Sequence, residues 1–134
     1  RLMQITTGID IIEVERIKES IEELGENFLN RIYTEKEIEY CNKSGSIKYQ
    51  HFAARFACKE AVFKAISQFI SGREEALWKD IEVINIDGGK PVINVDKLKK
   101  NFKKNVNNVE LKNIDISISH IKEYAVASVV AVFN

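Results

Sequence analysis

Apolar and polar residues change their period several times along the chain, and each change predicts an element. From Gln4 to Ile12 the residues are β-branched and apolar with few breaks, which predicts a buried strand with Asp10 near its end. Val14, Ile17, Ile21 and Leu24 then recur at helical spacing until Gly25 closes the pattern, predicting a helix from Glu13 to Leu24. Thr34-Glu35-Lys36-Glu37 has the arrangement of a capping box, so a short helix is expected to about Asn42, with a loop to Ser46. Ile47 to Ile70 predicts a long helix whose core stripe is Phe52, Phe56, Phe63, Ile66 and Ile70, taking about 100° per residue.

In the second half, Ile81 to Ile86 alternates, Asp87-Gly88-Gly89 supplies a turn, and Pro91-Val92-Ile93 forms the return strand with Pro91 on an edge. Val95 to Val106 predicts a lysine-rich amphipathic helix with Leu98 and Phe102 inward. Two strands follow, Val109 to Ser119 and Tyr124 to Phe133, joined through His120-Ile121-Lys122-Glu123. The last strand is apolar on both faces and built of small side chains, so it needs cover on both sides, from its own helices or from another chain.

With 134 residues the chain is read as one domain, 1–134, able to bury a core of its own. Its 20 basic and 20 acidic residues cancel, so no global field points to nucleic acid or membrane. No apolar run approaches the roughly 20 residues that span a bilayer, and the start lacks the pattern of a secretory signal. Secretion is not expected, and Met3, after Arg1-Leu2, is read as the natural start. Cys41 and Cys58 fall in helical patterns without metal or redox spacing, and with them a reducing, cytoplasmic setting is the expectation.

Asp10 among isoleucines is costly to bury unless something positive meets it, and Glu60 and Lys64 stand together on the long helix beside Ala53 and Ala57, small residues that would leave room for a ligand. Each has a plain alternative. Asp10 can accept backbone hydrogen bonds, Glu60 and Lys64 can form an i, i+4 ion pair, and His120 can satisfy a backbone carbonyl. Lys59 is expected to pack its stem and pair its ammonium with an anion or acid, and Cys58 to fill the core. Arg55 lies about 140° around the helix from Glu60, so the two cannot grip one small anion; a long ligand or a neighbouring subunit is needed if both are functional. The Lys97 to Lys104 group leaves open a non-catalytic module for anionic partners, and phosphoryl transfer from another nucleotide is a further alternative.

Gly8-Ile9-Asp10, Arg31 to Glu35, Arg55 to Ala61, Asp80 to Val83, Gly89-Lys90-Pro91, Ser117 to His120 and Tyr124-Ala125 stand in an order that resembles the holo-acyl-carrier-protein synthases, the short class of 4′-phosphopantetheinyl transferases. The resemblance implies an α+β fold, an antiparallel sheet packed against a long helix, in a homotrimer with active sites between subunits. It implies transfer of the 4′-phosphopantetheine arm of coenzyme A to a serine of apo acyl carrier protein, releasing adenosine 3′,5′-bisphosphate. In that scheme Asp10 and Glu60 resemble the magnesium ligands, Lys64 the cation facing the diphosphate, and Glu60, or water it positions on the metal, the base. Arg55 and His120 resemble the residues holding the 3′-phosphate end, and Arg16 the contact to the carrier. Ile121 stands where the family has a hydroxyl residue, Ser67 to Gly72 replaces glycines usual after the long helix, and Glu15, Glu19, Glu22 and Glu23 surround Arg16.

Overall fold

A three-stranded antiparallel sheet lies along one side of a long helix in the structure, a computed structural model that describes residues 3–70, 77–87, 89–106 and 108–134. Arg1 and Leu2, Gly88 of the expected turn, and Ser71 and Gly72 of the segment after the long helix lie outside the described residues. Strand β1 (Gln4–Glu13) pairs along its whole length with β5 (Tyr124–Phe133), and β5 pairs with β4 (Leu111–His120), giving the order β1-β5-β4. Helices α1 (Val14–Leu24), α2 (Glu26–Ile32) and α3 (Glu35–Asn42) lead to the long helix α4 (Lys48–Ile66). A hairpin of β2 (Val83–Ile86) and β3 (Lys90–Ile93) and then helix α5 (Val95–Asn105) precede β4. The architecture is α+β, and no helix among the described residues is long and apolar enough to cross a membrane.

The sheet approaches α4 closely because both surfaces are small. Ala53, Ala57, Ala61 and Ala65, each one turn apart, are buried, and Gly8 of β1 faces them. A Cβ on Gly8 would lie 1.9 Å from the Ala61 carbonyl oxygen, a distance no side chain tolerates. This overturns one expectation. The space beside Ala53 and Ala57 is filled by the protein itself, and both residues are fully buried. The apolar stripe belongs to the core, with Phe52 and Ile66 buried and Phe56, Phe63 and Ile70 partly buried against it. A helix covered by the sheet, α1 and α3 together turns its small residues, not its largest, toward the closest neighbours.

Gly25, at φ 58°, ends α1 and opens α2, a seven-residue helix that the sequence pattern did not predict. The Thr34 capping box forms as read: Thr34 N–H donates to Glu37 Oε1 at 2.9 Å and Glu37 N–H to Thr34 Oγ1 at 3.3 Å. Helix α4 ends at Ile66, and a single 3₁₀ turn, Ser67–Phe69, follows in place of the expected continuation to Ile70. The hairpin strand begins at Val83, two residues later than its alternation implied, and Pro91 pairs with Asn85 in a two-stranded ribbon that has only edges. Leu98 and Phe102 face inward from α5 as expected.

Strand β1 is not buried on both faces. Thr6, Gly8, Asp10 and Ile12 look toward α4, whereas Ile5, Ile9 and Ile11 are between 58% and 65% exposed. Their neighbours across β5 are Val132, Ser128 and Val126, with exposed Val130 opposite Thr7, so an apolar band runs over the outer face. The chain's own helices cover the inner face of β5, through Ala125, Ala127, Val129, Ala131 and Phe133.

Candidate active site

The strand and helix that touch at Gly8 run in opposite directions. Gly8 meets Ala61 and Ala65, while Val14 and Ile17, just beyond the strand, share a core with Ala53 and Ala54. Asp10 lies on β1 within reach of Lys64, and Glu60 stands one turn before Lys64 on α4. Lys64, one turn after Glu60, donates from Nζ to the Ile9 carbonyl at 2.9 Å and to Asp10 Oδ1 at 3.3 Å. The Asp10 side chain is 16% exposed and that of Lys64 52%. The Asp10 carboxylate and the Lys64 ammonium therefore meet at one edge of the β1–α4 contact, and Glu60 precedes Lys64 by one turn of the helix. Beside them opens a depression of about 500 Å³ lined by Thr7, Ile9, Lys64, Ser128 and Val130, which continues onto the exposed sheet face.

No group of three or more His, Cys, Asp or Glu that could hold a metal occurs among the described residues. A closed zinc-type cage is thus missing there. Asp10 and Glu60 are the carboxylates that could serve a magnesium ion, which takes one or two and leaves the rest of its octahedron to water and phosphate oxygens.

A second locus lies on another flank of α4, a groove of about 210 Å³ lined by Tyr40, His51, Arg55, Asn85, Ile118 and His120, among others. Arg55 is buried, donates from Nη2 to Asn85 Oδ1 at 2.5 Å and lies 4.3 Å from the centre of the Tyr40 ring. Its Nε has no hydrogen-bond partner, and among the described residues no carboxylate lies within ion-pair distance of it. A buried guanidinium without a counter-ion marks a place for an anion. His120, the last residue of β4 rather than part of the connecting loop, meets the Gln50 side-chain oxygen through Nδ1 at 2.7 Å and not a backbone carbonyl. The groove thus unites Arg55 with His120 and adds Tyr40, His51 and Asn85, which the sequence reading had not singled out. His51, one turn before Arg55 on the same helix, was the available signal.

The other buried cation is different in kind. Lys59 is fully buried, and its Nζ donates to Glu37 Oε1 at 2.8 Å and to the carbonyls of Trp78 and Ile81, each at 2.7 Å. Three acceptors match the three protons of an ammonium, although burial, opposed by Glu37, pulls the amine below its usual range. Burial pushes the thiols of Cys41 and Cys58 up to about 12, which keeps both protonated and unreactive at neutral pH. Arg16 stands exposed on α1.

The model of the 4′-phosphopantetheinyl transferase superfamily matches residues 6–129. The chain belongs to that superfamily, and within it to the holo-acyl-carrier-protein synthases. The synthase of Ruminiclostridium cellulolyticum is 41% identical over 125 residues, 93% of this chain and 90% of that protein. That of Chloroherpeton thalassium is 45% identical over 124 residues, 92% and 93% of the two chains. Among solved synthases, the Bacillus anthracis enzyme, in complex with CoA (3′,5′-ADP), has a TM-score of 0.69 at 36% identity, covering 97% of both chains. The Helicobacter pylori enzyme, in complex with coenzyme A, has a TM-score of 0.71 at 29% identity, covering 93% of this chain and 98% of that one.

Proposed function

We infer that this synthase transfers the 4′-phosphopantetheine group of coenzyme A to a serine hydroxyl of apo acyl carrier protein, releasing adenosine 3′,5′-bisphosphate. The observation that carries the reading is a pair of loci flanking α4: the Asp10–Lys64 ion pair, with Glu60 one turn before Lys64, and a cationic groove at Arg55 and His120. A coenzyme with a diphosphate at one point and a phosphomonoester at its far end offers one anion to each. In this reading Asp10 and Glu60 hold a magnesium ion, which would neutralise the diphosphate and align it. Lys64 meets the charge that builds on the bridging and non-bridging oxygens as the serine oxygen bonds to the phosphorus next to the pantetheine arm. Glu60 takes the proton of the attacking hydroxyl. Arg55 and His120 fix the 3′-phosphate, so the length of the coenzyme sets the reacting phosphorus against Lys64.

The carrier meets the exposed side of α1 through Arg16, and the working form is a homotrimer in a cytoplasmic setting. Support for association is the uncovered band of Ile5, Ile9, Ile11 and Val130, which is continuous with the depression beside Lys64, so a second copy lying on it would wall the active site. Incubation of apo carrier protein with coenzyme A and magnesium, read by mass spectrometry, tests the reaction. A mass gain of one phosphopantetheine that disappears with a chelator and returns with magnesium is expected. Absence of the gain across several carriers would defeat the reading.

A further inference from the structure

The Ser44 hydroxyl lies 3.1 Å from the Tyr40 carbonyl, to which it donates, and 2.6 Å from His51 Nδ1. With its single proton on the carbonyl, the hydroxyl oxygen accepts from Nδ1; on this ground the N–H of neutral His51 is assigned to Nδ1 and the lone pair to Nε2. The ring is fixed further by stacking on Tyr40, with centroids 5.5 Å apart, and by an edge contact with His120 at 5.2 Å. Such a ring repels an anion unless Nε2 takes up a proton. Among the described residues the charged and titratable groups around it are Tyr40 from α3, Arg55 from its own helix and His120 from β4; the hairpin contributes Asn85, Gly89 and Pro91, and none of these lining residues is a carboxylate. Burial first, then the charges of Arg55 and His120, hold the free imidazole below the ordinary histidine range, so it is neutral at neutral pH.

We propose that His51 is a proton-linked ligand of the terminal phosphate, binding the dianion as an imidazolium that has taken one proton from solvent onto Nε2. The proposal rests on the assignment of this groove to the 3′-phosphate of coenzyme A. It makes the preference for coenzyme A over its 3′-dephospho form depend on pH. The preference is fully present once His51 is protonated in the complex and declines as pH rises through the pKa of the bound state, by about tenfold for each unit by which the phosphate raises that pKa.

Calorimetric titration of the full-length protein with coenzyme A and with 3′-dephospho-coenzyme A, in buffers of different ionisation enthalpy near pH 7.5, counts the protons taken up. The wild type is expected to take up more protons with coenzyme A than His51→Gln does, the difference approaching one, while the two proteins behave alike with the dephospho form. Ser44→Ala frees Nδ1 to accept, so the neutral ring can donate from Nε2; proton uptake should fall while affinity for coenzyme A persists at alkaline pH. Equal uptake by wild type and His51→Gln, in a protein that still prefers coenzyme A over the dephospho form, overturns the role of His51 and leaves the groove assignment standing. No preference between the two ligands in the wild type overturns the groove assignment itself and the proposal with it.

Discussion

Removing the ammonium of Lys59 is expected to cost the fold a large share of its stability. In Lys59→Met the apolar stem is conserved, but the Glu37 carboxylate loses its only ion-pair partner and the carbonyls of Trp78 and Ile81 lose their donor at a site with no access to water. Glu37 would keep the backbone N–H groups of Thr34 and Val83, the latter at 2.9 Å, which solvate its charge only in part. Breaking one side of a buried pair costs about 3–5 kcal/mol, against a total of about 5–15 kcal/mol for a typical domain. With a urea slope of about 2 kcal/mol/M the unfolding midpoint should fall by roughly 2 M. Trp78 is the chain's single tryptophan, buried and stacked on Phe56, so its fluorescence reports the transition at the affected place. Protein concentration must be held constant, because self-association would add to the apparent stability. Adding Glu37→Met removes the stranded charge, and the double variant should lose less than the sum of the singles by at least about 1 kcal/mol. A single-variant loss below about 1 kcal/mol, or strict additivity, would refute the view that this pair carries the junction of α3, α4 and the hairpin.

Gly8→Ala drives a methyl group into the Ala61 carbonyl, backbone against backbone, so β1 and α4 must separate. A stability loss of about 1–3 kcal/mol, typical of overpacking, should appear in thermal unfolding together with loss of transfer; a variant normal in both would contradict the packing described. Asp10→Asn and Glu60→Gln should melt close to the wild type yet lose transfer by at least about a hundredfold, the scale of removing one electrostatic stabiliser, with the magnesium requirement shifted upward; near-normal rates would remove the metal assignment. Ile9→Lys puts a charge into the apolar band of the sheet, and light scattering should report a trimer for the wild type and a monomer without transfer activity for the variant. A monomeric wild type that transfers at full rate would end the case for association.

Local rules were enough wherever the partner of a residue lay nearby in sequence. Gly25 and the Thr34 box were readable because a helix end satisfies its own backbone, and α5 because its lysines and its Leu98–Phe102 edge divide cleanly. Helix α2 escaped because Glu26–Ile32 has no side-chain cap and spans only seven residues, too few for periodicity to emerge. Strand β1 was misread for the opposite reason. Its outer isoleucines have the pattern of a buried strand, yet nothing among the described residues covers them.

The hardest part to read was the difference between the two cations buried on α4. Arg55 and Lys59 are four residues apart in a run of apolar and small residues, and local pattern treats them alike, as charges that need a partner. The fold separates them. Lys59 finds its carboxylate 22 residues away in the chain and two carbonyls besides, so its charge is consumed in holding α3 and the hairpin to α4. Among the described residues Arg55 finds only an amide oxygen and an aromatic face, and keeps an unpartnered Nε beside two imidazoles. Desolvating a guanidinium is expensive, and where the described residues supply no counter-ion that cost is left to be offset by whatever enters the groove. The same junction links the two roles: Glu37 binds the Val83 N–H, and Asn85, two residues further along β2, is the side chain that holds Arg55. The structural ion pair thus helps to orient Arg55, and under the proposed reading loosening Lys59 should weaken coenzyme A binding before it alters chemistry at Asp10, Glu60 and Lys64.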